Sequence, residues 1–350
     1  MTTSDTGPAE LPTGGLLGVF AHPDDETLGA GDLMATVARA GIPVTVVTGT
    51  RGERGEVIPA DLAHLEGDGP ALAEHRRTEL ARALAALGVT AHVYLDTVPG
   101  LADHRPSRFT DSGMAWVRPG LAGPAPDAGP EAFSTLPVDV PARLLAAVLR
   151  RSRPGVLVTE EPGGGYGHPD HVQAHRVAMR AVELAADAPP TADDDPLAGL
   201  LPWRVPNVAW VVRSEPVMRE ALRWLSATLA DSPQLGARGD VLTPAPADAE
   251  LPPMVVPPDQ VDLTVPTTAV LEPLRDAMLA HRSQVQGVHV EVPREDGEPP
   301  HEDGEAAPPA YGWFAVSNGV VQPVLGAATL RVAPGHGSVA DLAAALGLPA

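Results

Sequence analysis

Short apolar runs alternate with helix-patterned segments through the first two thirds of this chain. That alternation limits the fold more than any other feature. "LLGVFA" (16–21), "PVTVVTGT" (43–50), "AHVYLD" (91–96), "GVLVTE" (155–160) and "NVAWVVR" (207–213) are too short for buried helices. They read as strands of a buried parallel sheet. Between them lie "DLMATVARAG" (32–41, stopped by Gly41), "GPALAEHRRTELARALAALG" (69–88, closed by Gly88), "PARLLAAVLRRSR" (141–153) and "HPDHVQAHRVAMRAVELAAD" (168–187), all patterned as helices. Strand, helix and strand in close succession make βαβ units, which cross over right-handed. The implied class is α/β, a mostly parallel sheet covered by helices on both faces.

Residues 1–15 read as a disordered lead-in, 16–215 as the catalytic domain, and 216–350 as a smaller C-terminal region that completes the pocket. In that region "TTAVLEPLRDAMLAHRSQV" (267–285) is patterned as a helix, and 312–333 as two short strands. The Pro- and Ala-rich stretch 231–260 and the acidic, Pro-rich stretch 293–309 read as surface loops. There is no internal repeat. The "RGD" at 238–240 is a chance match in an acidic chain.

The formal net charge is −21 and every basic residue is Arg. Nucleic acid is therefore an unsuitable partner, because phosphate backbones need a basic footprint. Aromatics make up 3% of the chain, too few for a base-stacking surface. No apolar run is long enough to span a membrane, and the first residues lack the pattern of a signal peptide. The chain has no cysteine, so any metal must be held by nitrogen and oxygen donors. Together these features place the expected protein in the cytoplasm.

Two polar clusters follow strands. "HPDDE" (22–26) follows the first, and "EEPGGGYGHPDH" (160–171) follows the fourth. Ligands of open α/β sheets bind outside the carboxyl ends of strands, so both clusters fall on the functional edge. Four polar groups at the mouth of a buried strand are costly unless something pairs with them. His22 and Asp25, with His171 from the second cluster, form a three-donor set that suits catalytic zinc and equally suits ferrous iron. Taken one at a time, the same residues serve as helix caps and turn formers. Asp24 points away from its neighbour Asp25 and is placed to take a proton from a metal-bound water. Tyr166 offers a phenol to an oxyanion. His168 is a general-acid candidate, with Asp170 to orient it. Gly163, Gly164 and Gly165 let backbone come close to a ligand or simply make a turn. "GAG" (29–31) is not a dinucleotide fingerprint, because the full glycine pattern is missing and the acidic residues before it repel a pyrophosphate.

"AHPDDE" together with "HPDH" resembles the LmbE/PIG-L family of zinc-dependent N-deacetylases. "RGERGEVI" (51–58), "HRRTEL" (75–80), "DSGMA" (111–115), "GGGYGHPDHVQAH" (163–175), "HRSQV" (281–285) and "SNGVVQPVL" (317–325) are similar to one branch, the deacetylases of mycothiol biosynthesis. The resemblance runs from about residue 16 to about residue 333. It implies a Rossmann-like fold, zinc on His22, Asp25 and His171, and Asp24 as base. It also implies Tyr166 at the tetrahedral intermediate, His168 as acid or electrostatic stabiliser tuned by Asp170, and Arg76 and Asp111 holding substrate hydroxyls. The expected reaction is hydrolysis of the N-acetyl group of N-acetylglucosaminyl-inositol, a small-molecule amino sugar, to the free amine and acetate. The alternatives are an amidase of mycothiol S-conjugates, a deacetylase of another N-acetylglucosaminyl natural product, a ferrous oxygenase and a non-catalytic sugar-binding protein. Gly167 before His168 favours the deacetylase over the amidase. Segments 97–110, 116–138 and 231–260 depart from the family's pattern and leave the exact sugar open.

Overall fold

The computed structural model describes residues 11–101, 105–118, 121–190, 192, 194–292 and 308–348. Most of the expected lead-in, and all but the end of the acidic stretch 293–309, lie outside the described residues. The first half runs β1 (Leu16–Phe20), α1 (Asp25–Arg39), β2 (Val44–Thr48), α2 (Gly69–Leu87), β3 (Ala91–Tyr94), β4 (Met114–Arg118), β5 (Leu121–Pro124), α3 (Asp139–Ser152), β6 (Val156–Glu160) and α4 (Pro169–Ala186). The second half runs β7 (Asn207–Ser214), α5 (Glu215–Asp231), β8 (Gln234–Leu235), β9 (Val241–Pro244), β10 (Val255–Val256), β11 (Leu263–Pro266), α6 (Leu271–Ala280), β12 (Gln286–Val290), β13 (Gly312–Ala315), β14 (Val320–Pro323), β15 (Ala327–Val332) and α7 (Val339–Ala345).

The five expected strands are β1, β2, β3, β6 and β7. They lie parallel in the spatial order β7-β6-β1-β2-β3. Every residue of β1, β2 and β6 is buried, which explains why apolar residues dominate them. One face packs on α3 and α4, where Leu144, Leu145, Ala174, Val177 and Ala181 meet Leu17, Val19 and Leu157. The other face packs on α1, α2 and α6, through Leu33, Met34, Leu80, Ala83 and Ala277. The α/β class with a mostly parallel sheet and helices on both faces is what the sequence predicts.

The sheet does not stop at residue 215. β15 adds antiparallel to β7, and β11 antiparallel to β15. The C-terminal region also builds a second, five-stranded sheet in the order β12-β13-β14-β9-β8. That sheet packs on α5 through Leu222, Leu225 and Leu229. The expectations assign nothing to 214–230, give 312–333 two strands instead of three, and omit the hairpin β4–β5. Residues 231–260 carry three short strands within an otherwise irregular path. Helix α1 begins at Asp25, seven residues before the expected start, because acidic residues suit a first turn.

Arg150 on α3 is buried and, among the described residues, forms no ion pair with a carboxylate. It donates to the carbonyls of Leu184 (3.0 Å), Ala185 (3.1 Å) and Asp187 (2.6 Å) at the end of α4, and to Leu200 O (3.1 Å). It therefore caps a helix whose last carbonyls have no partner within the helix. Truncating Arg150→Ala is expected to lower unfolding free energy by about 3 kcal/mol, the scale of losing charged hydrogen bonds and leaving acceptors buried. Urea unfolding reads this directly. An unchanged midpoint would contradict the capping role.

Candidate active site

The chain runs from β1 outward through β2 to β3, then crosses back to β6 on the other side of β1. The sheet's direction of winding therefore reverses between β1 and β6. A crevice opens at such a switch point, outside the carboxyl ends of the two strands. The segment leaving β1 carries His22, Asp24 and Asp25, and the segment leaving β6 carries Glu160 through His171. Adjacent strands thus bring the two clusters into contact.

Asp25 stands between the two imidazoles. Its Oδ2 lies 3.1 Å from His22 Nδ1 and accepts the His22 N–H at 2.7 Å, while its Oδ1 lies 3.2 Å from His171 Nε2. On its other side His22 Nε2 lies 3.1 Å from Asp170 Oδ2 and 3.6 Å from Asp111 Oδ1. His171 Nδ1 faces Glu160 Oε1 at 3.3 Å. Two buried imidazoles thus sit among four carboxylates.

The charge balance shows in the acidities. Burial lowers the His171 pKa, but Asp25 and Glu160 outweigh it and hold the ring up at about 10. Burial likewise opposes protonation of His22, yet Asp111 and Asp25 push its pKa well above the usual histidine range. For Asp25 burial favours the acid, and His171 and His22 reverse this and carry it well below the carboxylate range. For Asp111 the same opposition ends the same way, with His22 holding its carboxyl ionised. Such a site draws in positive charge.

A divalent cation fits these residues. Both ring nitrogens of His171 are buried and, among the described residues, have no hydrogen-bond partner. The donors are imidazole nitrogen and carboxylate oxygen, the set expected in a chain without cysteine. Donor atoms of His22, His168 and His171 all lie within 4.8 Å of one another, as do those of His22, Asp111 and Asp170. His22 is common to both groups.

Asp24 connects β1 to α1 with φ 117°, a left-handed conformation rare outside glycine. Strain of this kind costs on the order of 1–3 kcal/mol and persists only where surroundings impose it. Here two neighbours do so. Glu26 Oε2 accepts the Asp24 N–H at 2.9 Å, and Arg76 Nη2 donates to Asp24 Oδ1 at 2.9 Å. Burial raises the Asp24 pKa to about 6, with Arg76 opposing and Asp25 adding to the rise.

Arg76 itself is buried on α2. It also donates to Pro23 O, and to Gly52 O at 2.6 Å. Its visible contacts are thus with the strained turn rather than with open space. Gly52 has φ +64°, and a Cβ there would lie 2.1 Å from Arg76 Nη1. Gly52→Ala is expected to push the guanidinium off Asp24. The predicted outcome is a kcat reduced about 10-fold or more, the scale of misplacing a catalytic group, in a protein that still folds. Steady-state kinetics beside circular dichroism checks this; a wild-type kcat would show that Arg76 does not position Asp24.

The second cluster begins with a tight turn. Gly164 and Gly165 take φ +67° and +69°, and a Cβ on Gly164 would meet Val172 N at 2.6 Å. Glu161 accepts the N–H groups of Gly163 (2.6 Å) and Gly165 (2.9 Å). The glycines are thus required by the turn, and the turn places Tyr166. Its ring centroid lies 5.2 Å from that of His171 and 5.9 Å from that of His168. Burial and then Asp25 raise its pKa, so the phenol keeps its proton.

His168 caps α4: its Nδ1 accepts the Asp170 N–H at 3.1 Å. The ring proton therefore sits on Nε2. Burial, with His22 and His171 nearby, pushes its pKa down to about 2. The group of Asp170 that reaches His168 is its backbone N–H. The Asp170 carboxylate instead meets His22, Ser112 N–H (2.8 Å) and the Ser112 hydroxyl. Asp111 accepts from Gly113 N–H (2.8 Å) and Arg54 N–H (3.1 Å).

Sequence reasoning misses several supports. Ser112 and Glu160 hold site residues, although "DSGM" and the strand end "TEE" contain them. Glu26 is fully buried, with Oε1 2.8 Å from His281 Nε2 and accepting the Thr27 hydroxyl at 2.6 Å. The Ser283 hydroxyl donates to Glu79 Oε2 at 2.6 Å. The "HRSQV" segment therefore secures buried acids of α1 and α2 behind the site.

Residues 17–182 match the family described as PIG-L: GlcNAc-PI de-N-acetylase. A protein of Kineococcus radiotolerans named 1D-myo-inositol 2-acetamido-2-deoxy-alpha-D-glucopyranoside deacetylase is 42% identical over 88% of this chain and 74% of its own length. A protein of the same name from Kribbella flavida is 40% identical over 79% of this chain and 85% of its own. Among solved structures, N,N'-diacetylchitobiose deacetylase from Pyrococcus horikoshii aligns with TM-score 0.47 and 19% identity, covering 77% of this chain and 69% of that one. Similarity to the Kineococcus and Kribbella proteins runs across most of both lengths, and the family match spans both clusters at the switch point: this chain belongs to the PIG-L family of de-N-acetylases.

Proposed function

We propose that this protein hydrolyses the N-acetyl group of N-acetylglucosaminyl-inositol, releasing acetate and the free amino sugar of mycothiol biosynthesis. The observation that carries the reading is Asp25 reaching both His22 and His171 beside a carboxylate, Asp24, held by Arg76. We assign His22, Asp25 and His171 as the metal ligands and zinc as the ion, ferrous iron being the other that this donor set accepts. A bound divalent ion would polarise the amide carbonyl and acidify a water.

The chain's own groups do the rest. Asp24 takes the proton of the attacking water and returns it to the departing amine. Tyr166, kept protonated, donates to the oxyanion of the tetrahedral intermediate. His168 contributes as a neutral Nε2–H donor, since its Nδ1 already accepts a backbone proton. Asp170 and Asp111 face His22 Nε2 and orient it, and Asp111 would accept from substrate hydroxyls. Amine release from N-acetylglucosaminyl-inositol tests the reading. Turnover is expected to vanish with a chelator and return with added zinc or ferrous iron; turnover untouched by the chelator would defeat it.

A further inference from the structure

The hairpin β4–β5 stands at the mouth of this site and exposes an indole. Trp116 is 46% exposed and Val117 67% exposed, although both lie within β4. A register shift between Trp116 and Arg118 breaks the ladder with β5 there. Bulges of this kind re-aim side chains beside active sites. The Trp116 ring lies 5.9 Å from the Tyr166 ring at 35°, and Tyr166 in turn contacts His171. The three rings therefore run outward from the reacting end: His171, Tyr166, Trp116.

The hairpin is fixed to the catalytic loop. The Ala122 N–H donates to Tyr166 O at 2.9 Å. A Cβ on Gly167 would meet Leu121 Cδ1 at 2.8 Å and Ala122 O at 2.9 Å. The indole thus has a set distance from the phenol. An indole joins a broad apolar face to a single polar N–H, which suits it to contacts that are apolar on one side and wet on the other.

We propose that Trp116 is a stacking platform for the second, non-reacting ring of the substrate, a pyranose or cyclitol that lays its C–H face on the open side of the indole. This deepens the proposed function, since it says what distinguishes a two-ring amide from a one-ring amide at the same catalytic centre. In that pose the acetamido group faces Tyr166 and the histidines, and the ring attached to the reacting sugar extends toward the hairpin.

The test compares kcat/KM for N-acetylglucosaminyl-inositol, N,N'-diacetylchitobiose and N-acetylglucosamine, using metal-loaded wild type, Trp116→Ala and Trp116→Phe. The expected result is a two-ring to one-ring preference that falls about tenfold in Trp116→Ala, mainly through KM, and is largely restored in Trp116→Phe. A merely structural role would lower all three substrates together and would not be rescued by phenylalanine. A preference left unchanged in Trp116→Ala, while wild type still cleaves the inositol compound, overturns the platform alone. Wild type that cleaves the chitobiose or the monosaccharide but not the inositol compound overturns the proposed substrate, and the ratio of the remaining two then decides the platform. Wild type that cleaves none of the three overturns both.

Discussion

Asp24→Asn is expected to lower kcat by about 10²- to 10⁴-fold, the contribution typical of a positioned general base. Asparagine has the shape of aspartate. Its carbonyl oxygen can still accept from Arg76, and the backbone N–H can still donate to Glu26, so the strained turn at φ 117° keeps its supports. What is lost is the capacity to take a proton. The effect should therefore appear in kcat, with KM and thermal midpoint close to wild type. A loss below about tenfold would move the base role elsewhere. A loss accompanied by unfolding would instead mark the Asp24–Arg76 pair as structural; Asp24→Glu, which keeps the charge but lengthens the arm, separates these outcomes.

Asp25→Ala is expected to remove turnover by about 10³-fold or more, since Lewis-acid stabilisation is worth several kcal/mol. The reason lies in what Asp25 touches. One oxygen faces His22, the other faces His171, and the His22 N–H depends on it as well. Alanine leaves two buried imidazoles with the carboxylates of Asp111, Asp170 and Glu160 but without the group that joins them. Added zinc in excess should recover little activity. Full recovery would show that Asp25 is dispensable as a ligand.

Much of this arrangement was legible in the chain. The short, mainly apolar runs of β1 and β6 signalled buried parallel strands, and the polar clusters after them had to emerge on one edge. That the two strands are neighbours follows only from the winding reversal, which periodicity does not encode. Arg76 was not legible as a buried group, because an arginine within a long helix is patterned like a solvated face. Its burial depends on the Cβ-free space at Gly52. The Glu26–His281 contact joins residues 255 apart in sequence, beyond the reach of local pattern. Helix α5 is different: Ser214, Glu215 and Pro216 precede apolar residues at 218, 222, 225 and 229, a helical start and spacing present in the sequence. The second sheet was hidden because its strands are short and its partners distant, as in the pairing of β9 with β14.

The account rests on which side chains hold the cation. Asp25 reaches both His22 and His171, while the groups whose donor atoms all lie within 4.8 Å of one another join His22 to His168 and His171 or to Asp111 and Asp170. Metal content per chain, measured by elemental analysis of purified wild type and of the variants Asp25→Ala, His168→Ala and Asp111→Asn, separates them. The prediction is one divalent ion in wild type, retained in His168→Ala and Asp111→Asn and lost in Asp25→Ala. An ion that survives in Asp25→Ala but disappears from either of the other two would contradict the ligand assignment and the hydrolytic mechanism built on it.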